Sequence, residues 1–201
     1  MISYCIEASS DVGGVAVFDG EALVSEEEFA AVRGGTMRLF ELLQEMRARC
    51  GNPGRIIVGL GPGSYSGVRI AISAAIGFNV ATGCELLGVC SLAALGEGEY
   101  LAIGDARRES FYHVHVKEGR CVELPAVMSA EELKVTLAGH GTDFPVLTTA
   151  AIPLFPQAQV AHPKAHRLLD IARRQVWARD DLEPIYLREA YITQPKQRIV
   201  G

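Results

Sequence analysis

Several groups of side chains in this 201-residue chain have the types and spacing to do chemistry. In "GLGPGSYSGVRIAISAAIGFNVATG", Gly61, Gly63 and Gly67 stand as G-x-G-x-x-x-G at the mouth of a helix. The unpaired N–H groups of a helix start could cradle a phosphate there. The spacing matches neither the G-x-G-x-x-G dinucleotide fingerprint nor a P-loop, which needs Lys after its last Gly. A tight strand-to-helix turn accounts for the same glycines. In "DARRES", Asp105 and Glu109 could act as paired carboxylates, with Arg107 or Arg108 as an anion clamp. An ion-paired hairpin corner is the simpler reading. His113 and His115 alternate on a strand, and His162 and His166 lie four apart, as on one helical face. Either pair could ligate a metal, but no acidic third ligand or H-E-x-x-H pattern accompanies them. No Ser-His-Asp or Cys-His set can be assembled by motif. The residues therefore predict no catalytic, cofactor-binding or metal site.

The elements that would position these groups follow from periodicity. "ISYCIEA" and "GGVAVFDGEALVSEEEF" read as antiparallel strands, with a hairpin turn at Asp19-Gly20. "TMRLFELLQEMRARC" carries Met37, Phe40, Leu43 and Met46 at helical spacing, beside Leu39 and Leu42, with Thr36 as N-cap and Gly51 and Pro53 as stop signals. "RIIVGLG" and "ELLGVCS" are wholly apolar, as strands covered on both faces are. The helix between them is apolar nearly all round: only Arg69, Ser73 and Asn79 relieve it. A surface helix needs one apolar stripe. This one needs cover on two sides, from its own sheet and from a partner chain. The pattern restarts near Gly96 to Gly98. A strand, the charged turn and a long hairpin precede a helix capped by Ser129 with Glu132 at the capping-box position. A short strand "FPVLTTA" and a helix beginning "HPKAH" follow. The expected organisation is an α/β chain in two lobes: residues 1–97 with the dimerisation helices, a smaller lobe 98–188, and a polar tail 189–201.

Composition narrows the function classes. Hydrophobic residues make up 49% and the formal net charge is -5, a balance that argues against autonomous grip on tRNA or DNA. The five scattered cysteines contain no C-x-x-C and read as reduced, mostly buried thiols of a cytoplasmic protein. The N-terminus has no signal-peptide pattern, and the apolar run Ile70 to Ala81 is too short to span a bilayer.

"GPGSYSGVRIA" at Gly61 to Ala71, "GDARRESFY" at Gly104 to Tyr112 and "PIYLR" at Pro184 to Arg188 resemble the motifs of the TsaB (YeaZ) family. That family is the non-catalytic dimerisation subunit of the machinery that makes threonylcarbamoyladenosine at position 37 of tRNA. The resemblance implies a two-lobed actin-like ATPase (ASKHA, ribonuclease H-like) fold. It implies a homodimer when alone, a heterodimer with the catalytic subunit TsaD, and the ATPase TsaE in the larger complex. The interface is expected at Leu39, Leu43, Tyr65, Val68, Arg69, Ile72 and Ile76. An ASKHA-type ATP-dependent small-molecule kinase or ATPase is the alternative. It would need a first-strand acid and phosphate loops, of which "AGHGTDFP" is the nearest approach. The family's first-strand Asp-Thr is here Glu7-Ala8, and its His-Ser before the first helix is Gly35-Thr36.

Overall fold

A computed structural model describes residues 1–31, 35–140 and 144–187, with only the backbone of residues 35 and 36. The polar tail 189–201 lies outside the described residues.

The first lobe begins with a meander of β1 (Ile2–Glu7), β2 (Val12–Asp19) and β3 (Ala22–Ala30). Gly20 makes the β2–β3 turn with φ 61°, a left-handed value that suits glycine. Then come α1 (Gly35–Cys50), β4 (Arg55–Gly59), α2 (Tyr65–Thr82) and β5 (Glu85–Val89). β4 pairs parallel with β1, and β5 parallel with β4. Right-handed crossovers through helices are how parallel neighbours are joined.

The second lobe repeats this scheme. It runs β6 (Glu99–Asp105), β7 (Ser110–Lys117), β8 (Arg120–Cys121), β9 (Ala126–Ser129), α3 (Ala130–Gly139), β10 (Val146–Thr148) and β11 (Gln159–Val160). Its sheet order β9-β7-β6-β10-β11 corresponds to β3-β2-β1-β4-β5, with the same antiparallel and parallel pairings. No helix stands between β10 and β11 where the first lobe has α2. Two mixed sheets flanked by helices, one built on the plan of the other, make this the two-lobed actin-like, ribonuclease H-like fold.

The C-terminal part departs from expectation. A single helix from His162 onward does not form. Residues Ala165–Arg167 make one 3-10 turn, α4 spans only Leu168–Arg174, and the chain then extends into β12 (Ala178–Arg179), antiparallel to β5. Without it β5 would be an open edge whose backbone groups need partners. Trp177 N donates to Gly88 O at 2.8 Å, and Ile185 N to Leu60 O at 2.8 Å. Residues from about 162 to 187 thus return to the first lobe, and the stretch expected as one lobe, 98–188, is divided between the two.

Alternation on β1 sorts the core. Tyr4 and Ile6 meet Leu39, Leu42, Leu43 and Met46 of α1, and Val68, Ala71 and Ile72 of α2. Cys5, on the opposite face, joins a second cluster with Leu168, Leu169 and Ile171 of α4 and with Tyr112 and Val114 of the second sheet, so the lobes share this core. A third cluster lies between the second sheet and α3.

Candidate interaction face and inter-lobe cleft

Helix α2 is fixed at both ends. Ser64 Oγ accepts from Gly67 N at 3.3 Å, and Gly83, with φ 70°, donates its N–H to Asn79 O at 2.7 Å. Between the caps Val68, Ala71, Ile72, Ala74 and Ala75 are buried. The opposite strip, Tyr65, Arg69, Ser73, Ile76 and Val80, is exposed at helical spacing, with Val80 81% and Tyr65 60% accessible. On the neighbouring α1, Met37 and Phe40 are exposed as well.

This corrects the expected interface set. Leu39, Leu43, Val68 and Ile72 lie in the lobe's own core, where they cover Tyr4, Ile6 and the apolar faces of β4 and β5. Tyr65, Arg69 and Ile76 stand on the surface. Met37, Phe40 and Val80, which the expected set leaves out, are exposed on the same two helices, Val80 one turn beyond Ile76.

The segment before residue 188 lies alongside this strip. The Arg69 guanidinium sits 4.1 Å from the Tyr65 ring centroid and donates to Tyr186 Oη at 2.7 Å. A groove of about 380 Å³ runs between Arg69, Ile72 and Ser73 on α2 and Glu183, Pro184 and Tyr186.

The glycines of the preceding turn serve close packing. A Cβ on Gly63 would run into the Ser9 carbonyl, and one on Gly67 into that of Ala8. Ser64 N donates to Ser9 O at 2.7 Å and Val68 N to Ser64 O at 3.0 Å. The Ser64, Gly67 and Val68 N–H groups are thus engaged within the turn and the first helical turn. Gly61, with φ 85°, makes the bend itself.

A cleft of about 640 Å³ opens where the equivalent turns of the two lobes face each other. Ser9, Ser10 and Asp11 come from the β1–β2 turn and Gly63, Ser64 and Tyr65 from the turn into α2. Opposite them lie Asp105 and Arg107 at the β6–β7 corner, and Thr148 and Thr149 after β10. The lining is rich in hydroxyls and holds Asp11 and Asp105 against Arg107. Nucleotide enzymes of this fold organise a metal-nucleotide with an acid on the first strand. Glu7 holds that place here, but it is 0% exposed and does not line the cleft. The first-strand acid is therefore not available to a metal-nucleotide in this cleft. Among the described residues, no group of three or more His, Cys, Asp or Glu side chains is arranged to hold a metal ion.

The other candidate groups resolve into structural contacts. Arg107, Arg108 and Glu109 all have positive φ, 66°, 55° and 57°, in a left-handed corner. Asp105 Oδ1 accepts from Arg107 N at 2.6 Å to hold it. Glu109 does not join Asp105 in lining the cleft. His115 Nε2 bonds Glu99 at 2.9 Å, and the His140 ring lies 5.8 and 5.6 Å from those of His113 and His115. His166 pairs with Glu26 at 2.7 Å. His162 Nδ1 comes within 3.2 Å of Ser10 Oγ, a pairing across 152 positions that no motif signals. Ser10 Oγ also donates to Val12 O at 2.8 Å, which ties the hydroxyl to its own turn. All five cysteines are free, and burial pushes the Cys5 and Cys90 thiols far above their ordinary range, which makes them inert. No helix among the described residues is long and apolar enough to cross a membrane.

Against this geometry, three comparisons bear on identity. The family model of TsaD, tRNA N6-adenosine threonylcarbamoyltransferase, matches residues 37–136, which include most of α1, all of α2 and the connection between the lobes. Two solved structures from Pseudomonas aeruginosa share the fold over nearly the whole chain. An uncharacterized protein with similarity to peptidase YeaZ superposes with a TM-score of 0.74 at 24% identity, covering 93% of this chain and 99% of that one. YeaZ itself superposes with a TM-score of 0.73 at 22% identity, covering 92% and 99%. An uncharacterized protein of Mycobacterium leprae is 35% identical over 91 residues, 42% of this chain and 25% of that protein. One of Mycobacterium tuberculosis is 36% identical over 81 residues, 39% and 38% respectively. The chain thus spans well under two thirds of the length of these relatives. Together the matches bear out the resemblance to the TsaB (YeaZ) family read from the motifs.

Proposed function

We infer from the YeaZ fold and the TsaD-family match that this chain is a TsaB-like partner subunit for tRNA N6-threonylcarbamoyladenosine formation. It docks and stabilises a TsaD-type catalytic subunit and contributes no chemistry of its own. Alone it pairs with a second copy; in the cytoplasm it works in a complex that also holds the ATPase TsaE. The observation that carries this reading is the exposed strip of α2 with its companions on α1: Tyr65, Ile76, Val80, Met37 and Phe40. Large apolar side chains gathered on two adjacent helices mark an association surface. Gly77 and Ala81, exposed beside them, let a partner helix approach closely.

The reading is set against an ATP-dependent enzyme. Such an enzyme needs a first-strand acid that reaches the cleft, and here Glu7 is sealed away from it. The net charge of -5 speaks against tRNA binding without a partner. The test is co-expression with a TsaD-type protein, followed by sedimentation and an assay of tRNA modification. The wild-type chain is expected to sediment with TsaD and to restore modification, while an Ile76→Glu, Val80→Glu double variant does neither. Capture undiminished in that variant would move the interface elsewhere. Steady ATP hydrolysis by the chain alone, abolished by Glu7→Ala, would overturn the non-catalytic reading.

A further inference from the structure

Glu7 ends β1 in a slot that the sheet leaves for it. Its register partner on β2 is Gly14. On the other side, Ile6 pairs with Val58 of β4, which places Gly59 next in line. A side chain on Gly59 would occupy the space of the Glu7 carboxyl and the Ser91 hydroxyl. A side chain on Gly14 would press on Ala165 at 3.3 Å. Glycine at position 59 is thus what admits a full-length glutamate at the end of β1, while glycine at 14 makes room for Ala165.

The carboxyl in that slot meets neutral hydrogen-bonding groups and no cation. Oε1 accepts from Ser9 N at 2.7 Å. Oε2 is fully buried without a partner, and so is Ser9 Oγ. Ser91 Oγ accepts from Gly61 N at 3.0 Å, which leaves its own O–H facing the same space. Among the described residues no cation pairs with Glu7. β2 and β4 present glycines to it, and the β1–β2 turn and the 3-10 helix Ser91–Ala94 present serines. The charged residues of the segment over Gly14, Lys164 and His166, are paired with Glu28 and Glu26 on β3. A fully buried carboxylate with no cation beside it is driven toward its protonated form.

We propose that Glu7 keeps its proton at neutral pH and acts as a neutral clasp, joining the end of β1 to the turn after β4 and to the 3-10 helix Ser91–Ala94. A proton on Oε2 turns an unpaired acceptor into a donor for the flanking hydroxyls of Ser9 and Ser91. The acid that related folds aim at a cleft ligand is here spent on holding the lobe's own strands together. Burial raises the carboxyl above its ordinary value of 4.5, and hydrogen bonds from Ser9, Ser91 and the Ala8 backbone only partly oppose this.

The sign of the pH effect follows. The clasp is fully present below the unfolded-state value near 4.5 and is lost as pH rises through the raised folded-state value. Glu7→Gln keeps the shape and cannot ionise. The two proteins should therefore converge in stability near pH 4. Above that, the unfolding constant of the wild type should rise relative to the variant by up to about tenfold per pH unit, the slope for one linked proton. Denaturant unfolding of both proteins from pH 4 to 9 reads this gap. Carbon-detected NMR of the wild-type Glu7 carboxyl at pH 7 reads the proton directly, and it decides alone if Glu7→Gln fails to fold. A gap that widens with pH, or a carboxyl resonance still at its protonated position at pH 7, supports the clasp. A pH-independent gap, or a resonance that titrates at an ordinary glutamate value, overturns it.

Discussion

Ile72 and Ile76 sit one turn apart on α2 and play opposite parts. Ile72 is 6% exposed and Ile76 42%. Ile72→Glu should lose about 3–5 kcal/mol and melt early by circular dichroism, because the charge enters a packed core without a partner. Ile76→Glu should keep the wild-type melting curve and, if the strip is the interface, sediment as a monomer. Since about 1.4 kcal/mol is a factor of ten in affinity, one uncompensated charge suffices to disperse a micromolar pair. Gly67→Ala should also destabilise the fold, by about 1–3 kcal/mol in urea titration, since its Cβ would meet the Ala8 carbonyl. At this scale the sequence was legible in type and illegible in direction. An apolar residue on an apolar helix carries no mark of which side meets the sheet. Ser10 and His162, 152 positions apart, carry no mark of their contact.

Among the elements, those with local chemistry at their ends were read correctly. α3 forms the expected capping box, with Ser129 Oγ accepting from Glu132 N at 3.3 Å and Glu132 Oε2 accepting from Ser129 N at 2.7 Å. Ser129→Ala should cost about 1 kcal/mol in denaturant unfolding. The element beginning at "HPKAH" was misread, because its apolar spacing continues through Val176 and Trp177 while the open edge of β5 takes the Trp177 N–H and pairs with Ala178–Arg179 as a strand. β7 carries a titratable group inward: burial lowers the pKa of His113 from its ordinary 6.5. The folded lobe refuses a proton that the unfolded chain accepts, so this contribution is whole above pH 6.5 and is lost as pH falls below it, by at most about 1.4 kcal/mol per unit. Hydrogen exchange at pH 5 against pH 7.5, corrected for intrinsic rates, should show β7 and α3 losing protection.

For the whole molecule, the two-lobed plan was legible because the pattern of strands and helices restarts at Gly96 to Gly98, and the sheets do repeat one topology. What the linear order concealed is that residues after 161 rejoin the first lobe. The two crossings of the chain touch, with Lys164 N donating to Ala94 O at 3.1 Å and Arg167 Nη2 reaching Glu97 at 3.1 Å. In genetic terms the second lobe is an insertion whose two ends meet. Replacing residues 97–161 by a short glycine linker should leave a gene product with the complete first sheet, β12 included. On the ribosome the same feature imposes a delay. β5 emerges early, but its edge stays open until the entire inserted lobe and α4 have been translated. The first lobe therefore closes last, and a nascent chain stalled before Trp177 should be cut readily by protease in its N-terminal half.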